Sequence, residues 1–418
     1  MLIFKLAFRN ILRNRKRTLL TVLLISFSLT ALIFTDGYVV GMGQNMVKSA
    51  TRLFPGDAQI HHPNFLLAFE SKYHFDPGNQ VQALQNEPEV DAATARVISP
   101  GMLSSSANVL SVQVYGINPI TEARVSKLAS AIVSGKYLST QEQMADQGIS
   151  PRKFATQIVL GHRLAENLEV ELGDRLVLSV PQVEGGEVSQ ELFRVSGIFK
   201  FNTRSMDEVF VFIPIDRLQA MAGLSGQVHE IAVNLLDPKM ASDASLSLWQ
   251  KYTHAGQEFQ GWAELLPQVH SMMEMMNYSL VIVGVILFVI ASLGVINAMF
   301  MSIYERIWEF GVVKAIGTTP ATIFNLILVE GLLIGLISVV VGAALGFGLN
   351  YWVSLEGLDY SDMEFSGVAI VEPVKTVLRS MQFTQLPLWV LFFTLVACLY
   401  PALFAARILP SRALHKSL

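Results

Sequence analysis

The side chains that could bind a metal, hold a phosphate or attack a carbonyl are few, and most stand in incomplete patterns. In "HSMMEMM" (270–276) four methionines offer soft thioethers suited to copper(I). Methionine is also a flexible filler of helix packing, and this segment leads straight into an apolar run. His61 and His62 have no second cluster at metal-ligand spacing, and His229-Glu230 opens like a zincin motif but meets Val233 where the second histidine should stand. Gly135-Lys136-Tyr137 lacks both the earlier glycine and the hydroxyl of a phosphate-binding loop. There is no G-x-S-x-G elbow, and the single cysteine, Cys398, lies in an apolar run. What remains is charge set in oil: Glu305, Arg306, Glu309 and Lys314 between two apolar stretches, and Glu330 inside one. Carboxylates and cations so placed suit ion pairing and docking better than catalysis, and no constellation for an enzyme active site can be assembled.

The elements that must carry these residues follow from composition. Of 418 residues 52% are hydrophobic and 15% charged, with a mean hydropathy of +0.45, outside ordinary soluble usage. Runs 18–40, 278–303, 320–350 and 387–406 each meet the roughly 20 residues that a helix needs to cross a bilayer. Lys5, Arg9, Arg13, Arg15, Lys16 and Arg17 precede the first run, which places the N-terminus inside. Four crossings return the C-terminal tail, 407–418, to the same side and put loop 351–386, rich in Glu and Asp, outside. The net charge of −4 is therefore a sum over two sides of a membrane. The first run is too long for a signal-peptide core and reads as an uncleaved anchor.

In residues 1–17, Ile3, Phe4, Ala7, Phe8 and Ile11 share one helix side and Lys5, Arg9, Arg13 and Lys16 another. This suits a helix lying on the inner leaflet or a plain basic topology signal. Residues 41–277 have the punctuation of an α+β domain. Strands are expected at "VLSVQVYG" (109–116), "RLVLSV" (175–180), "LFRVSGIF" (192–199), "VFVFIPI" (209–215) and "EIAVNLL" (230–236), with a helix in "GHRLAENLEVELG" (161–173). After Trp262 a helical stalk is expected to lead into the second span. Residues 304–319 should form a short helix ended by Gly317, with Thr319 capping and Pro320 starting the third span. Such a helix is either a docking element or a tight turn with a solvated face. Pro401 should kink the fourth span, as hinge or as static packing.

"ERIWEFGVVKAIGTTPATIFNLILVEG" (305–331) closely resembles the signature of ABC-transporter permeases of the MacB, LolC/LolE and FtsX superfamily. "LAFRNILRNRKRTLLTVLLI" (6–25) and "YPALFAARILPSRAL" (400–414) are similar to its other two hallmarks. "IVLGHRLAENLEVELGDRLVLSVP" (158–181), "FRVSGIF" (193–199) and "VFIPI" (211–215) resemble the MacB-like periplasmic core. The branch most similar is the lipoprotein-releasing one, although the first span, "TVLLISFSLTALIFTDGYVVGMG" (21–43), departs from it.

The resemblance implies a dimeric, non-catalytic permease of the bacterial inner membrane, with cytoplasmic termini and a periplasmic domain. Its partners would be two copies of a cytoplasmic ATPase that bind ATP and magnesium, a second permease, identical or related, membrane lipids, and a periplasmic chaperone, adaptor or hydrolase; nucleic acid has no part. It further implies ATPase coupling through Glu305, Arg306, Glu309, Phe310, Gly311, Lys314, Ala315 and Gly317. Glu330, Gly331 and Pro401 would serve that coupling inside the membrane, Glu330 by a structural contact rather than a proton path. The work expected is mechanical: ATP-driven movement is passed to the outer domain, which extracts or exports a membrane-held substrate such as a lipoprotein. Activation of a periplasmic hydrolase and efflux of antibiotics or peptides are the alternatives.

Overall fold

The computed structural model describes residues 2–68, 70–139, 156–183, 185–242, 247–254, 256–360, 364–365, 368–369 and 373–409. The last nine residues of the expected tail and eight residues of the expected outer loop lie outside these. The chain opens with helices α1 (Leu2–Arg13) and α2 (Arg15–Leu53). Short helices α3 (Pro119–Val125), α4 (His162–Leu168), α5 (Arg204–Val209) and α6 (Trp262–Leu265) thread the following sheet. Helices α7 (Pro267–Glu305), α8 (Ile307–Ala315), α9 (Pro320–Glu356) and α10 (Ser380–Ala406) follow. Among the described residues α2, α7, α9 and α10 are long and apolar enough to cross a membrane. The chain divides into a helical unit (Met1–Gln44, Met273–Asp359, Pro373–Leu418) and a sheet unit (Asn45–Met272, Tyr360–Glu372).

In the helical unit, Ser338, Gly342, Gly346 and Asn350 recur every four residues and so line one face of α9. A Cβ on Gly342 would come 2.8 Å from the carbonyl oxygen of Ser26, so only glycine admits α2 this closely. Polar groups tie the same seam: Ser26 donates to the Ser338 carbonyl (2.9 Å), Thr30 to that of Gly342 (3.0 Å), and Asn350 to that of Ile33 (3.0 Å). With no water to compete, such bonds take the place of a hydrophobic drive between helices. Ala7 and Ile11 of α1 join this core, whereas Phe4 and Phe8 stay exposed. The apolar side of α1 is thus divided between packing and surroundings. Helix α7 leaves most of its apolar length uncovered.

In the sheet unit ten strands form one mixed sheet, β10-β1-β9-β2-β3-β8-β5-β7-β4, with β6 on β2 and β7. They are β1 (Ala58–His61), β2 (Val90–Ser104), β3 (Val109–Ile117), β4 (Ile132–Gly135), β5 (Gln157–Gly161), β6 (Arg175–Pro181), β7 (Val188–Phe199), β8 (Phe210–Pro214), β9 (Glu230–Leu235) and β10 (Glu258–Gly261). The five strands expected from alternation are β3, β6, β7, β8 and β9. The longest one, β2, was not expected: it pairs with β9 through its first half and with β3 and β6 through its second. Rings of Phe54, Tyr115, Phe199, Phe210 and Phe212 pack at 4.7–5.7 Å as the centre of the core, edge-on or tilted except for the stacked Tyr115–Phe212 pair.

Candidate functional site: the turn between two apolar helices and the anchored end of a third

Helix α7 ends at Glu305, Arg306 breaks the run, and α8 occupies Ile307–Ala315. Its end is built as expected. Gly317 adopts φ +106, where a side chain would be strained, while its amide donates to the Lys314 carbonyl (3.0 Å) and that of Thr318 to the Val313 carbonyl (3.2 Å). Thr319 then caps α9 through the amide of Thr322, and Pro320 takes the first helical position.

The charged residues of this turn face inward more than the sequence suggests. Arg306 is buried and donates to Glu330 (3.1 Å) and Glu309 (3.4 Å), and its guanidinium lies 5.0 Å above the Phe310 ring. Glu309 also meets Arg13 at 2.9 Å. Glu305 accepts from Asn14 (2.7 Å) and pairs with Arg17. Phe310 and Gly311 are buried, Phe310 packing with Ile303, Ile323, Ile327, Ala402 and Ala405. Lys314 donates to the carbonyls of Ala406 (2.5 Å) and Ile408 (2.8 Å), holding the last turn of α10. Burial lowers the pKa of Lys314, yet these carbonyls match an ammonium's donors. Gly331 fits against Cys398, and Pro401 is buried within α10, which runs through it unbroken.

Of the expected residues, Glu305, Arg306, Glu309, Phe310, Lys314 and Glu330 make contacts that link the N-terminal segment, α8, α9 and α10, whereas Ala315 and Gly317 are exposed. Arg306–Glu330 is buried on both sides and gains from its low-dielectric surroundings, whereas Arg13–Glu309 is exposed on both and is worth little. What α8 and the residue just after it leave outside is apolar: Trp308 is 52% exposed, Val313 42% and Ile316 82%. The sequence places Val313 on the apolar face of this helix with Ile307 and Phe310, but gives no sign of Trp308 and Ile316, nor of Arg13, Arg17 and Asn14, whose partners stand about 290 positions away.

A second set of groups, all in the sheet unit, holds the end of α2. Arg96 of β2, fully buried, forks onto Glu122 of α3 (2.9 and 2.7 Å) and donates to Glu230 of β9 (2.7 Å). Its remaining donors reach the carbonyls of Phe54 (2.7 Å) and Pro55 (3.4 Å), just past the last residue of α2, and it stacks 4.0 Å above the Phe54 ring. A buried cation at a helix C-terminus satisfies carbonyls that lack partners and complements the helix dipole. Around it the Lys127 amide bonds Leu53, Thr51 bonds Asp57 (2.7 Å), and Arg52 bonds the Leu235 carbonyl (2.8 Å). Burial raises the Glu230 pKa, which Arg96 opposes. Burial holds His229 neutral, down to about 4; its Nδ1 accepts from Ile98 (3.0 Å), which makes Nε2 the donor to Ser71 (2.9 Å). Arg96 was invisible beforehand because Glu122 and Glu230 lie 26 and 134 positions away.

Residues 18–248 match the family of the MacB-like periplasmic core domain, and residues 281–410 match the FtsX-like permease C-terminal family. The fold and the two matches define an ABC-type permease with four apolar helices. The chain belongs to the MacB/FtsX family of ABC-transporter permeases. Among known proteins it is 21% identical to the lipoprotein-releasing system transmembrane protein LolE of Haemophilus influenzae, over 80% of each chain. It is 22% identical to the corresponding protein LolC of Neisseria meningitidis, over 81% of each. It is 26% identical to a probable export ATP-binding/permease protein, MacB, of Pseudomonas entomophila, over 84% of this chain and 51% of that one. LolE and LolC are named as transmembrane proteins of a lipoprotein-releasing system, whereas MacB is named for ATP binding and permease function together.

Proposed function

We propose that this chain is the permease half of an ATP-driven complex in a bacterial inner membrane, and that it extracts or exports a membrane-held substrate such as a lipoprotein or lipid-linked molecule. The observation that carries this is the build of α8: a short helix with an apolar outer face, riveted through Arg306, Glu309 and Lys314 to three other elements. A cytoplasmic ATPase seated on Trp308, Val313 and Ile316 would move the ends of α7 and α9 together. On this reading the ATPase is a separate chain. ATP and magnesium are bound there.

On this reading the termini and α8 are cytoplasmic, the sheet unit is periplasmic, and a second permease, identical or related, completes the complex. Within the sheet unit Arg96 ties the residues just past the end of α2 to β2, β9 and α3. Lipoprotein release is favoured by coverage, since four fifths of the lengths of LolE and LolC are matched. The test is ATP-dependent release of a lipidated protein from vesicles holding this chain and its ATPase. Release is expected to fall at least tenfold with Ile316→Asp, and release unaffected by that change would refute the reading.

A further inference from the structure

Strand β9 stops pairing with β2 at Glu230–Arg96, and the residue before it, His229, sets a fully buried ring where the ladder would continue. Its Nδ1 accepts from the amide of Ile98 on β2 (3.0 Å), and its Nε2 donates to the carbonyl of Ser71 (2.9 Å). One imidazole thus rivets the central strand to residues 70–75, a stretch that forms neither helix nor strand. At the end of this stretch Phe75 exchanges both backbone bonds with Val228 (2.9 Å each), and the Ser71 hydroxyl meets that of Ser99 at 3.5 Å. Tyr73, between these attachments, packs against the aromatic core that holds Phe65 and Phe54, the latter just past α2.

Both ring bonds require the neutral form. A neutral imidazole has one acceptor and one donor nitrogen, and here each is used, whereas the cation has two donors. A proton added to Nδ1 would point at the Ile98 N–H, and Ile98 is fixed by its pairing with Tyr115 on β3. The charge would also be buried without a carboxylate. The ionisable groups around the ring supply none. His74, on the same stretch, lies edge-on at 6.4 Å and would repel it, and Glu70 is paired with Lys72. His62 stacks on Tyr73 at 4.9 Å, His61 bonds the His62 carbonyl and Gln260, and Glu230 is held by Arg96, which also holds Glu122.

We infer that residues 70–75 are an acid-labile latch, closed by neutral His229 and released when the ring takes a proton, so that Tyr73 leaves the core beside the end of α2. Burial keeps the closed ring neutral down to about 4, whereas an open, hydrated ring titrates near 6.5. The latch is therefore fully closed above that value and weakens as pH falls towards about 4. Between pH 7 and pH 5 the ratio of open to closed forms rises about twentyfold. Burial raises the Glu230 pKa, so its protonation stabilises the closed form and acts in the opposite direction. The latch does not depend on the transporter reading, which only sets the sheet unit outside the cytoplasm, where acid reaches it.

The experiment is hydrogen exchange of the full chain in nanodiscs at pH 7, 6 and 5, with each rate corrected for intrinsic exchange at that pH and the amides of Phe75, Val228 and Ile98 as reporters. Opening at these amides is expected to grow about twentyfold from pH 7 to pH 5, while those of β6 and β7 keep their protection. His229→Gln keeps a side-chain donor but has nothing that titrates, and should raise opening by the same factor at every pH. His74→Gln should leave the pH dependence in place. If His229→Gln does not fold, the wild-type course together with His74→Gln decides. A rise below about threefold, or one matched by β6 and β7, would overturn the latch. So would a pH dependence that survives in His229→Gln or vanishes in His74→Gln.

Discussion

Replacing Arg96 by Met is the most exacting test of the joint at the end of α2. The change keeps an unbranched side chain of similar reach but leaves Glu122 and Glu230, both buried, facing each other and two carbonyls without a donor. Breaking a buried pair from one side costs about 3–5 kcal/mol. In a unit of this size that lowers the unfolding midpoint by about 10 °C. The pH dependence has a fixed sign. Burial raises the Glu230 pKa above its unfolded value, so the native state holds the proton more tightly, and this contribution is lost as pH rises through the native pKa. Removing Arg96 takes away the chief opposing influence and raises that pKa further, at about 1.4 kcal/mol per unit. The deficit of Arg96→Met should therefore be larger at pH 8 than at pH 5. His229 destabilises the fold as pH falls from its ordinary value towards about 4, but equally in both proteins, and cancels in the difference. The assay is thermal unfolding of the full chain in detergent at the two pH values, with hydrogen exchange of β2 and β9. Adding Glu122→Met and Glu230→Met should restore most of the stability, because an apolar triad avoids the desolvation cost. A deficit under about 1 kcal/mol, or one that does not change with pH, would refute the reasoning.

Other consequences concern the helical unit. Glu330→Gln leaves the buried Arg306 with only the more distant, half-exposed carboxylate of Glu309, and is expected to raise the ATP hydrolysed per cargo released several-fold without making release proton-dependent; an unchanged ratio counts against the coupling role. Gly342→Leu would force α2 away from α9, and should lower the thermal midpoint of the purified chain by several degrees, so a midpoint equal to wild type would contradict the packing. Lys314→Met removes the cation that holds the Ala406 and Ile408 carbonyls, and hydrogen exchange at the end of α10 should quicken; protection equal to wild type would show that the contact does not hold it.

Much of this architecture was legible because it rests on local signals. Bilayer length and apolar composition mark α2, α7, α9 and α10, and the Gly317–Thr319–Pro320 sequence sets the end of one helix and the start of the next within a residue or two. Strands β3, β6, β7, β8 and β9 show β-branched or alternating runs. Strand β2 does not: Pro100 and Gly101 read as a break, yet Pro100 sits opposite Gln113 inside the ladder. The four-residue spacing of Ser338, Gly342, Gly346 and Asn350 was a readable packing signal that went unused. The salt bridges were not readable at all. Arg13 looks like a topology signal until the fold brings Glu309 to it, and Arg96 looks like a surface strand residue until α3 and β9 close over it. Periodicity identifies faces, but only tertiary structure chooses the partners across them.

The central claim is that α8 is where an ATPase takes hold. The most direct measurement is affinity purification of the chain from native membranes, intact and with Ile316→Asp, followed by mass spectrometry of the retained proteins. Ile316 is a cleaner probe than Glu309, because it is 82% exposed and has no ion pair to lose, whereas Glu309 is bound to Arg13 and Arg306. A P-loop ATPase retained by the intact chain and lost with the variant is the predicted result. Equal retention by both, or no ATPase even after cross-linking, would contradict the account.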